Sequence, residues 1–384
     1  MDTTILRNRF REQYGNSGDL YFSPGRINLI GEHTDYNGGF VFPGAVDKGI
    51  TLEISVNGSR LVRLLAIDQS DAPYLEFSLD DQEKPDLHWA CYIFGVCKEL
   101  EKRGVCLAGF NAAFTGDVPL GAGMSSSAAL ESVFAFALND MFAGGSVDRF
   151  ELAKIGQATE HNYCGVKCGI MDQFASVFGK EGNLIRLDCR SLEYEYFPFD
   201  PKGYRLVLIN SCVSHSLGGE YNERRESCEK AVALMAKRWK GVETLRDASH
   251  DMLDAVKSEL DNEDWLRAKY ILDEKERVLA VCDALNAGDY DTVGKKMYET
   301  HWGLSREYTV SCPELDFLVE TAQECGVTGS RIMGGGFGGC TINLVRETLC
   351  DKFISKATRE YSKRFGVIPK VYHVVIGDGS RKLK

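Results

Sequence analysis

Apolar and polar residues alternate along the first part of the chain, as they do in β-strands that have one buried face. Between Leu52 and Asn57 every second residue is apolar, and a period of two is typical of a strand. Asn57-Gly58 follows, a dipeptide that favours a tight hairpin turn, and a second apolar run then reaches Ile67. The pattern predicts β-structure from residue 20 to about residue 67, with a hairpin at Gly58.

Apolar positions three or four residues apart replace this alternation in later stretches and predict helices. Predicted helices cover residues 89–100, 125–138, 150–163, 171–177, much of 219–301, 314–325 and 351–365. Predicted strands cover residues 110–115, 183–188, 204–210, 341–345 and 371–376. Strands and helices mix without a regular strand–helix–strand alternation. This favours an α+β fold built in layers over a doubly wound parallel sheet.

The length and composition of the chain indicate a two-domain globular protein. A chain of 384 residues is long for one hydrophobic core, so we expect two packed domains. We place the boundary near Arg190, between an N-terminal domain of residues 1–190 and a C-terminal domain of residues 191–384. Hydrophobic residues make up 44% and charged residues 26% of the chain, which are ordinary values for a soluble enzyme.

The net negative charge of the chain limits the kinds of partner that it can bind. Acidic residues number 56 and basic residues 45, for a net charge of −11, and a surface of that sign repels nucleic acid and anionic membranes. The N-terminus lacks the apolar stretch of a signal peptide, and no apolar run approaches the roughly 18 residues of a membrane helix. The 13 cysteines include no Cys-x-x-Cys pair, which favours a reducing compartment. We expect a cytoplasmic protein that binds neither nucleic acid nor membrane.

Five polar residues that can bind a ligand crowd between glycines near the N-terminus. They are Arg26, Glu32, His33, Asp35 and Asn37. Acceptors beside a few donors suit a neutral polyol, whose hydroxyls both donate and accept hydrogen bonds. An exposed polar turn is one alternative. A metal site is another, although a single His with flanking carboxylates lacks the paired-His spacing of zinc enzymes.

A second cluster combines small residues with a run of serines. It reads Pro119-Leu120-Gly121-Ala122-Gly123-Met124-Ser125-Ser126-Ser127-Ala128. Glycines let the backbone approach a ligand, and serines at a helix start can cap its N–H groups or meet a phosphate. The cluster is neither a Walker loop nor a dinucleotide fingerprint. A capped, buried helix after a turn is the alternative.

Glycines fill five of the six positions from 334 to 339, in a third cluster. Because so much backbone freedom is costly, something must require the bare main chain. Close approach to a nucleotide or to another loop would do, and a tight turn before a strand is the alternative. Between the second and third clusters, Glu160 and Asp172 each lie at the edge of an apolar stretch. One is a candidate Mg²⁺ ligand and the other a candidate base. Asp172, at a predicted helix start, could equally be a cap.

In this order the three clusters resemble the signature motifs of the GHMP kinases, and the first is similar to the galactokinase signature within that superfamily. The similarity extends over essentially the whole chain, including Cys168-Gly169-Ile170-Met171-Asp172-Gln173. It implies a two-domain α+β fold with the active site between the domains. It also implies a cytoplasmic, mostly monomeric enzyme that moves the γ-phosphoryl group of MgATP to the C1 hydroxyl of galactose.

The resemblance also implies roles for individual residues. Asp172 would be the catalytic carboxylate and Arg26 the arginine that assists it. The residues in contact with the sugar would be Glu32, His33, Thr34, Asp35, Gly169 and Tyr221. The residues around ATP would be Gly121, Ala122, Gly123, Met124, Ser125, Ser126 and Ser127, with Trp89 near the adenine. Ser127 and Glu160 would hold Mg²⁺.

Two alternatives stay open within this resemblance. One is a kinase of N-acetylgalactosamine or arabinose, but relatives that accept the amino sugar resemble Glu-His-Ile-Asp, and Thr34 takes the place of the isoleucine here. The other is a galactose and ATP sensor without catalysis, but such relatives lack the Ser-Ala pair formed here by Ser127 and Ala128. Each interpretation requires that Arg26, Asp172 and the serine run meet around one cleft.

Overall fold

The computed structural model describes residues 3–71, 73–118, 123–213 and 218–384, and the side chains of Gly218 and Tyr221 are not among the described parts. Three sheets and the helices packed on them make up these residues. The strands are β1 Asp19–Asn28, β2 Phe40–Val41, β3 Pro43–Val56, β4 Leu61–Ala66, β5 Tyr74–Ser78, β6 Phe110–Gly116, β7 Asn183–Asp188, β8 Tyr194–Pro198, β9 Tyr204–Asn210, β10 Gly329–Ile332, β11 Cys340–Arg346, β12 Lys370–Val374 and β13 Arg381–Lys382. The helices are α1 Thr4–Tyr14, α2 His88–Lys102, α3 Ser126–Ala143, α4 Arg149–Thr159, α5 Met171–Phe178, α6 Gly218–Arg238, α7 His250–Ala255, α8 Asn262–Asn286, α9 Tyr290–Arg306, α10 Pro313–Glu324 and α11 Cys350–Phe365.

The predicted α+β class is confirmed. A six-stranded sheet runs in the order β13-β1-β3-β6-β4-β5, a four-stranded sheet in the order β10-β11-β9-β12, and a small one in the order β2-β7-β8. Each helix and strand predicted after residue 88 has a counterpart within about five residues. Helices α3 and α5 contact strands β1 and β3 of the six-stranded sheet, and α2 and α4 pack against α3, so the N-terminal half is built in layers.

The predicted hairpin at Gly58 is wrong. The chain does turn there, with Gly58 at φ +71°, but β3 and β4 are not neighbours in the sheet. Strand β6 lies between them, antiparallel to β3 and parallel to β4. Strand β6 brings the buried Phe110 and Ala112 into the middle of the sheet, and this apolar strand gains two partners there. A local turn signal carries no information about such a distant strand.

The N-terminal and C-terminal halves of the chain contribute to one sheet and to one apolar core. Strand β13, at the end of the chain, pairs with β1 at its beginning through Tyr21 and Lys382. One apolar core also joins both halves, with Ile27 packed in the same cluster as Leu208 and Ile342. The boundary near Arg190 stays a prediction. None of the described helices is both long and apolar enough to span a membrane.

Candidate active site

Arg26, Asp172 and Ser125 meet, although they are far apart in the sequence. Arg26 lies near the end of β1, and its Nε donates to Asp172 Oδ1 at 2.9 Å. Its Nη1 also donates to the carbonyl oxygen of Gly123. Ser125 Oγ donates to the other carboxylate oxygen of Asp172. The expectation that these three segments meet is confirmed.

These contacts settle the two capping alternatives. Asp172 is the second residue of α5, whose N-cap is Ile170 without a side-chain hydrogen bond. Ser125 occupies the N-cap of α3 in a left-handed conformation at φ +56°, and its side chain does not cap the helix either. Both capping expectations are wrong, because each side chain bonds to the other across the site. The 32% exposure of the Asp172 side chain leaves it open to a ligand, whereas Arg26 at 4% is enclosed.

Asp35, in the loop that follows β1, lies against Gly169. A Cβ atom added at Gly169 would stand only 1.9 Å from Asp35 Oδ2, so only glycine leaves room for this carboxylate. Burial and the nearby negative charge of Asp172 raise the pKa of Asp35 to about 7. The predicted sugar-binding residues Asp35 and Gly169 are therefore neighbours of the predicted catalytic carboxylate.

His33 belongs to the same loop and is buried. Burial lowers its pKa to about 3, partly offset by a hydrogen bond with the backbone of Gly335, so the ring is neutral at physiological pH. Its Nδ1 lies 2.8 Å from the hydroxyl of Tyr36. The backbone of His33 is left-handed at φ +62°, a strained conformation that the surrounding structure must hold in place.

Glu32 is hydrogen-bonded to Arg331 and to Gly334, the first glycine of the third cluster. Its Oε1 accepts hydrogen bonds from Arg331 Nη2 at 3.1 Å and from the backbone N–H of Gly334 at 2.9 Å. The Thr34 hydroxyl is also bonded within the loop, since it is buried and contacts the carbonyl oxygens of Gly31 and Phe40. Asn37 donates to the carbonyl oxygen of His33 at 2.9 Å. Glu32, Thr34 and Asn37 thus hold the shape of the loop.

The C-terminal half supplies further supports that the sequence interpretation missed. Glu274 of α8 is buried and accepts from the N–H of Gly31 at 2.7 Å. Arg331 is fully buried and donates to the carbonyl oxygens of Asn28 and Leu29 as well as to Glu32. A charged residue only three positions before Gly334 was a signal for Arg331 that was not used. The sequence around Glu274 contains no comparable signal.

The second and third clusters pack against each other. Gly123 has φ +70°, and a Cβ there would stand 2.7 Å from the carbonyl oxygen of Met333. A Cβ at Gly334 would in turn meet the Cα of Gly123 at 3.3 Å. Glycines of the third cluster are therefore needed for close approach to another loop. Met124 is buried, and its carbonyl oxygen accepts from the backbone N–H of Arg26.

The other predicted nucleotide residues are only partly described. Gly121 and Ala122 lie outside the described residues. Ser126 is the first residue of α3 and is half-buried. Trp89 lies at the start of α2, with its ring edge-on to Phe114 at 5.6 Å between centroids. Tyr221 belongs to α6, but its side chain is outside the described parts.

Ser127 and Glu160 are joined by a hydrogen bond between their side chains. Glu160 begins a single turn of π-helix, Glu160–Cys164, that continues α4, and such turns are frequent at functional sites. Burial and the charge of Asp172 raise the pKa of Glu160 to about 7. A hydroxyl and a carboxylate are hard oxygen ligands, and Mg²⁺ often takes only one or two protein ligands beside phosphates and waters.

The arrangement suits proton abstraction beside a phosphate site. A carboxylate oriented by an arginine and a serine can accept a proton from a hydroxyl held next to it. Asp172 lies near Asp35 of the first loop and is bonded to Ser125 at the start of α3, where free N–H groups favour anions.

Family models match three parts of the chain. The galactokinase galactose-binding signature matches residues 8–56, the N-terminal domain of GHMP kinases residues 91–180, and the C-terminal domain of GHMP kinases residues 282–363. They include the first loop, Asp172 and the third glycine cluster.

Relatives match the chain from end to end. A galactokinase of Roseiflexus sp. (strain RS-1) is 40% identical over 99% of this chain and 97% of its own length. A galactokinase of Bacillus subtilis (strain 168) is 39% identical over 99% of this chain and 98% of its own.

Solved structures match as well. Lactococcus lactis galactokinase, crystallised with galactose, superposes with a TM-score of 0.95 at 36% identity, and 99% of each chain is covered. The mevalonate kinase of Methanococcus jannaschii, at 17% identity and a TM-score of 0.65, covers 94% of this chain and 99% of its own and shares the fold. With about 40% identity over almost its whole length, the chain belongs to the galactokinase family of the GHMP kinases.

Proposed function

We propose that the chain transfers the γ-phosphoryl group of MgATP to the C1 hydroxyl of galactose, forming galactose 1-phosphate and ADP. The observation that supports this most directly is the position of Asp172. It is bonded to Arg26 and Ser125 and lies close to Asp35 of the first loop, which packs against Gly169. The family membership points to the same reaction, since the relatives are galactokinases.

Asp172 is the group that accepts the proton of the sugar hydroxyl. An anomeric hydroxyl is a weak nucleophile at neutral pH, so transfer needs alignment and a proton acceptor. The Arg26 guanidinium donates to Asp172 Oδ1 at 2.9 Å. It also orients the carboxylate, because Arg26 is itself tied to Gly123. Asp172 thus keeps one position while the substrates enter.

Sugar contacts come from the loop after β1. Asp35, with its neighbour Gly169, is the described carboxylate that binds galactose hydroxyls, while the buried His33 ring bonds to Tyr36 and to the Gly335 backbone. Glu32 and Thr34 act mainly by holding the loop, since their polar atoms bond to protein groups. Tyr221 is proposed as a further sugar contact on the basis of the family resemblance alone.

The nucleotide binds along the loop that ends at Ser127. Its phosphates lie at the start of α3, where unpaired N–H groups favour anions, and its adenine lies towards Trp89. Ser127 and Glu160 would hold Mg²⁺, since a hydroxyl and a carboxylate are oxygen ligands that fit that ion. When bound, Mg²⁺ offsets negative charge on the phosphates and helps to orient them.

An assay of ADP release with and without galactose tests the proposal. The unmodified chain should release ADP only when galactose is present, and a panel with N-acetylgalactosamine and arabinose should show the preference for galactose. ADP release that does not depend on any of these sugars, or none at all, contradicts the proposal. The last result would favour the non-catalytic sensor.

Replacement of the proton acceptor tests the mechanism. Asp172→Asn keeps the shape of the side chain but not its charge, so kcat should fall at least ~10³-fold while ATP binding persists. Asp68→Asn is a matched control, because Asp68 also accepts from a hydroxyl and an N–H, those of Thr115 and Gly116. Substantial turnover by a folded Asp172→Asn protein would exclude Asp172 as the acceptor.

A further inference from the structure

Glu131 and Gln173 form a buried polar pair that the proposed function does not use. Glu131 lies on α3, one helical turn after Ser127, and Gln173 follows Asp172 on α5. The Gln173 Nε2–H donates to Glu131 Oε2 at 3.1 Å, and both side chains are buried. The pair therefore joins the helix that starts at the serine run to the helix that carries the proton acceptor.

The other oxygen of each side chain lacks a hydrogen bond. Glu131 Oε1 and Gln173 Oε1 are both buried, and neither has a partner among the described residues. An amide oxygen and an ionised carboxylate can only accept, so an ionised Glu131 would leave two buried acceptors without a donor, which is costly. A protonated carboxyl has an O–H donor. With its hydrogen on Oε1, Glu131 donates to Gln173 Oε1 while its Oε2 accepts from the amide, and both orphan oxygens gain a partner.

The electrostatic surroundings of Glu131 favour its neutral form. Burial and the negative charges of Glu160 and Asp172 raise the pKa of the Glu131 carboxyl well above its usual value, against an opposing effect of the Gln173 hydrogen bond. The groups that also interact with it electrostatically are Tyr92, Cys164 and Cys168. A phenol and two thiols are neutral or negative, so they do not favour a carboxylate at this position.

Helix α4 covers the pair from a third side. A Cβ atom added at Gly156 of α4 would stand 2.6 Å from Gln173 Cγ and 3.1 Å from Glu131 Oε2. The bare backbone of α4 therefore packs directly on both side chains, and a larger residue at this position would have to push them apart. This packing fixes the two side chains, which favours hydrogen bonds of constant geometry between them.

We propose that Glu131 is a positioning residue whose protonated carboxyl donates to Gln173 Oε1, so that two hydrogen bonds join α3 to α5 and hold Asp172 in place. The starts of the same two helices are joined by the bond between Ser125 and Asp172. Glu131 touches no substrate in this scheme and acts through Asp172. Its neutrality also keeps a third negative charge away from Glu160 and Asp172. The effect on catalysis rests on the proposed function, whereas the two hydrogen bonds do not.

Infrared difference spectroscopy tests the protonation state without any turnover. The spectrum of the unmodified chain minus that of Glu131→Gln, both at pH 8, isolates the carboxyl group of Glu131. The difference should contain the C=O band of a protonated carboxyl and no carboxylate bands. Carboxylate bands overturn the proposal even if galactose is phosphorylated. If galactose is not phosphorylated, the proposed function fails and this measurement still decides on Glu131.

Glu99→Gln is the matched control, since Glu99 is a buried helical glutamate with charged partners. Lys102 and Arg103 donate to its two oxygens at 2.7 and 2.8 Å. Burial raises the pKa of Glu99, but hydrogen bonds from these partners outweigh that effect and hold the pKa below its usual value. Its difference spectrum at pH 8 should therefore contain carboxylate bands.

Steady-state kinetics test the positioning role. Glu131→Gln keeps a planar neutral group with a donor and an acceptor, so kcat should stay within about threefold of the unmodified value. Glu131→Met removes both hydrogen bonds and leaves the Gln173 amide buried without a partner. In that variant kcat should fall at least ~10-fold, with a smaller change in the KM for ATP.

Two kinetic results overturn the positioning role: an equal loss of kcat in Glu131→Gln and Glu131→Met, or an unchanged kcat in folded Glu131→Met. If Glu131→Met does not fold, Glu131→Gln still decides, because a loss of kcat well beyond threefold shows that a neutral group with a donor and an acceptor does not suffice.

Discussion

At the scale of single residues, the hydrogen bonds of Asp172 and Arg26 define the site. Asp172 has a partner on each oxygen, Arg26 on one and Ser125 on the other. Arg26 is enclosed and reaches two groups at once, Asp172 and the carbonyl oxygen of Gly123. Two bonds in different directions require a guanidinium, because it presents several N–H groups in a fixed plane.

Arg26→Lys should therefore not be a conservative change. An ammonium group cannot reach both partners with the same geometry, so we expect kcat to fall about 10–100-fold, with a smaller change in the KM for ATP. Steady-state kinetics on the folded variant measure this. Near-normal activity would show that only the positive charge of Arg26 matters.

The pKa of Asp35, raised to about 7 by burial and by Asp172, predicts a pH dependence of stability. Between about pH 4 and pH 7 the unfolded chain has lost this proton while the folded one keeps it, so the free energy of unfolding falls as pH rises. Above pH 7 this contribution is constant. Asp35→Asn cannot ionise and should escape the fall, for a gain of roughly 1–2 kcal/mol at pH 8 after allowance for partial exposure.

Thermal unfolding of both proteins from pH 5 to pH 8 checks this prediction. The advantage of Asp35→Asn should grow up to pH 7 and then stay level, while the KM for galactose rises at all these pH values. A melting-temperature difference that does not change with pH would mean that Asp35 ionises normally in the folded protein.

At the scale of elements, the two glycine-rich turns shape the site by their contact. Gly123 and Gly334 lie so close together that neither has room for a methyl side chain. The carbonyl oxygen of Gly123 also accepts a hydrogen bond from Arg26. The glycines of the third cluster are thus explained by a protein neighbour. The position of α3, of its serines and of Arg26 depends on this contact.

Gly123→Ala should disturb this contact and the chemistry together. The new Cβ would be 2.7 Å from the Met333 carbonyl oxygen in a left-handed backbone at φ +70°, so the loop must shift. We expect kcat/KM to fall at least ~10-fold. Gly144→Ala is the matched control: its φ is +59°, but nothing lies within 4 Å. It should cost about 1 kcal/mol of stability without loss of activity, and equal activity in both variants would contradict this account.

At the scale of the whole molecule, the sugar-binding loop comes from the N-terminal half but is held by the C-terminal half. Glu274 accepts from Gly31, and Arg331 binds Glu32 and the carbonyl oxygens before it. Strand β13 returns from the end of the chain to pair with β1. The rigidity of the loop therefore depends on the packing between the two halves.

Arg331→Met should weaken both stability and galactose binding. Loss of this buried guanidinium leaves the Glu32 carboxylate and two carbonyl oxygens without their partner, which typically costs about 3–5 kcal/mol. Arg346→Met is the control, since Arg346 pairs with Asp291 on the surface, with side chains 51% and 75% exposed. That change should cost under ~1 kcal/mol. Denaturant unfolding and the KM for galactose measure both effects, and a similar cost for the two variants would exclude the proposed role of Arg331.

Local patterns in the sequence were enough to predict most helices and strands, because the spacing of apolar residues reflects which face of an element is buried. They also located the clusters that contain Arg26, Asp172 and the serine run. Only the tertiary structure decided what those residues bind: that Ser125 contacts Asp172 instead of capping α3, that β6 separates β3 from β4, and that Arg331 and Tyr308 reach the first loop. Each of these contacts joins residues 45 or more positions apart, and nothing near either residue in the sequence specifies a partner at that distance.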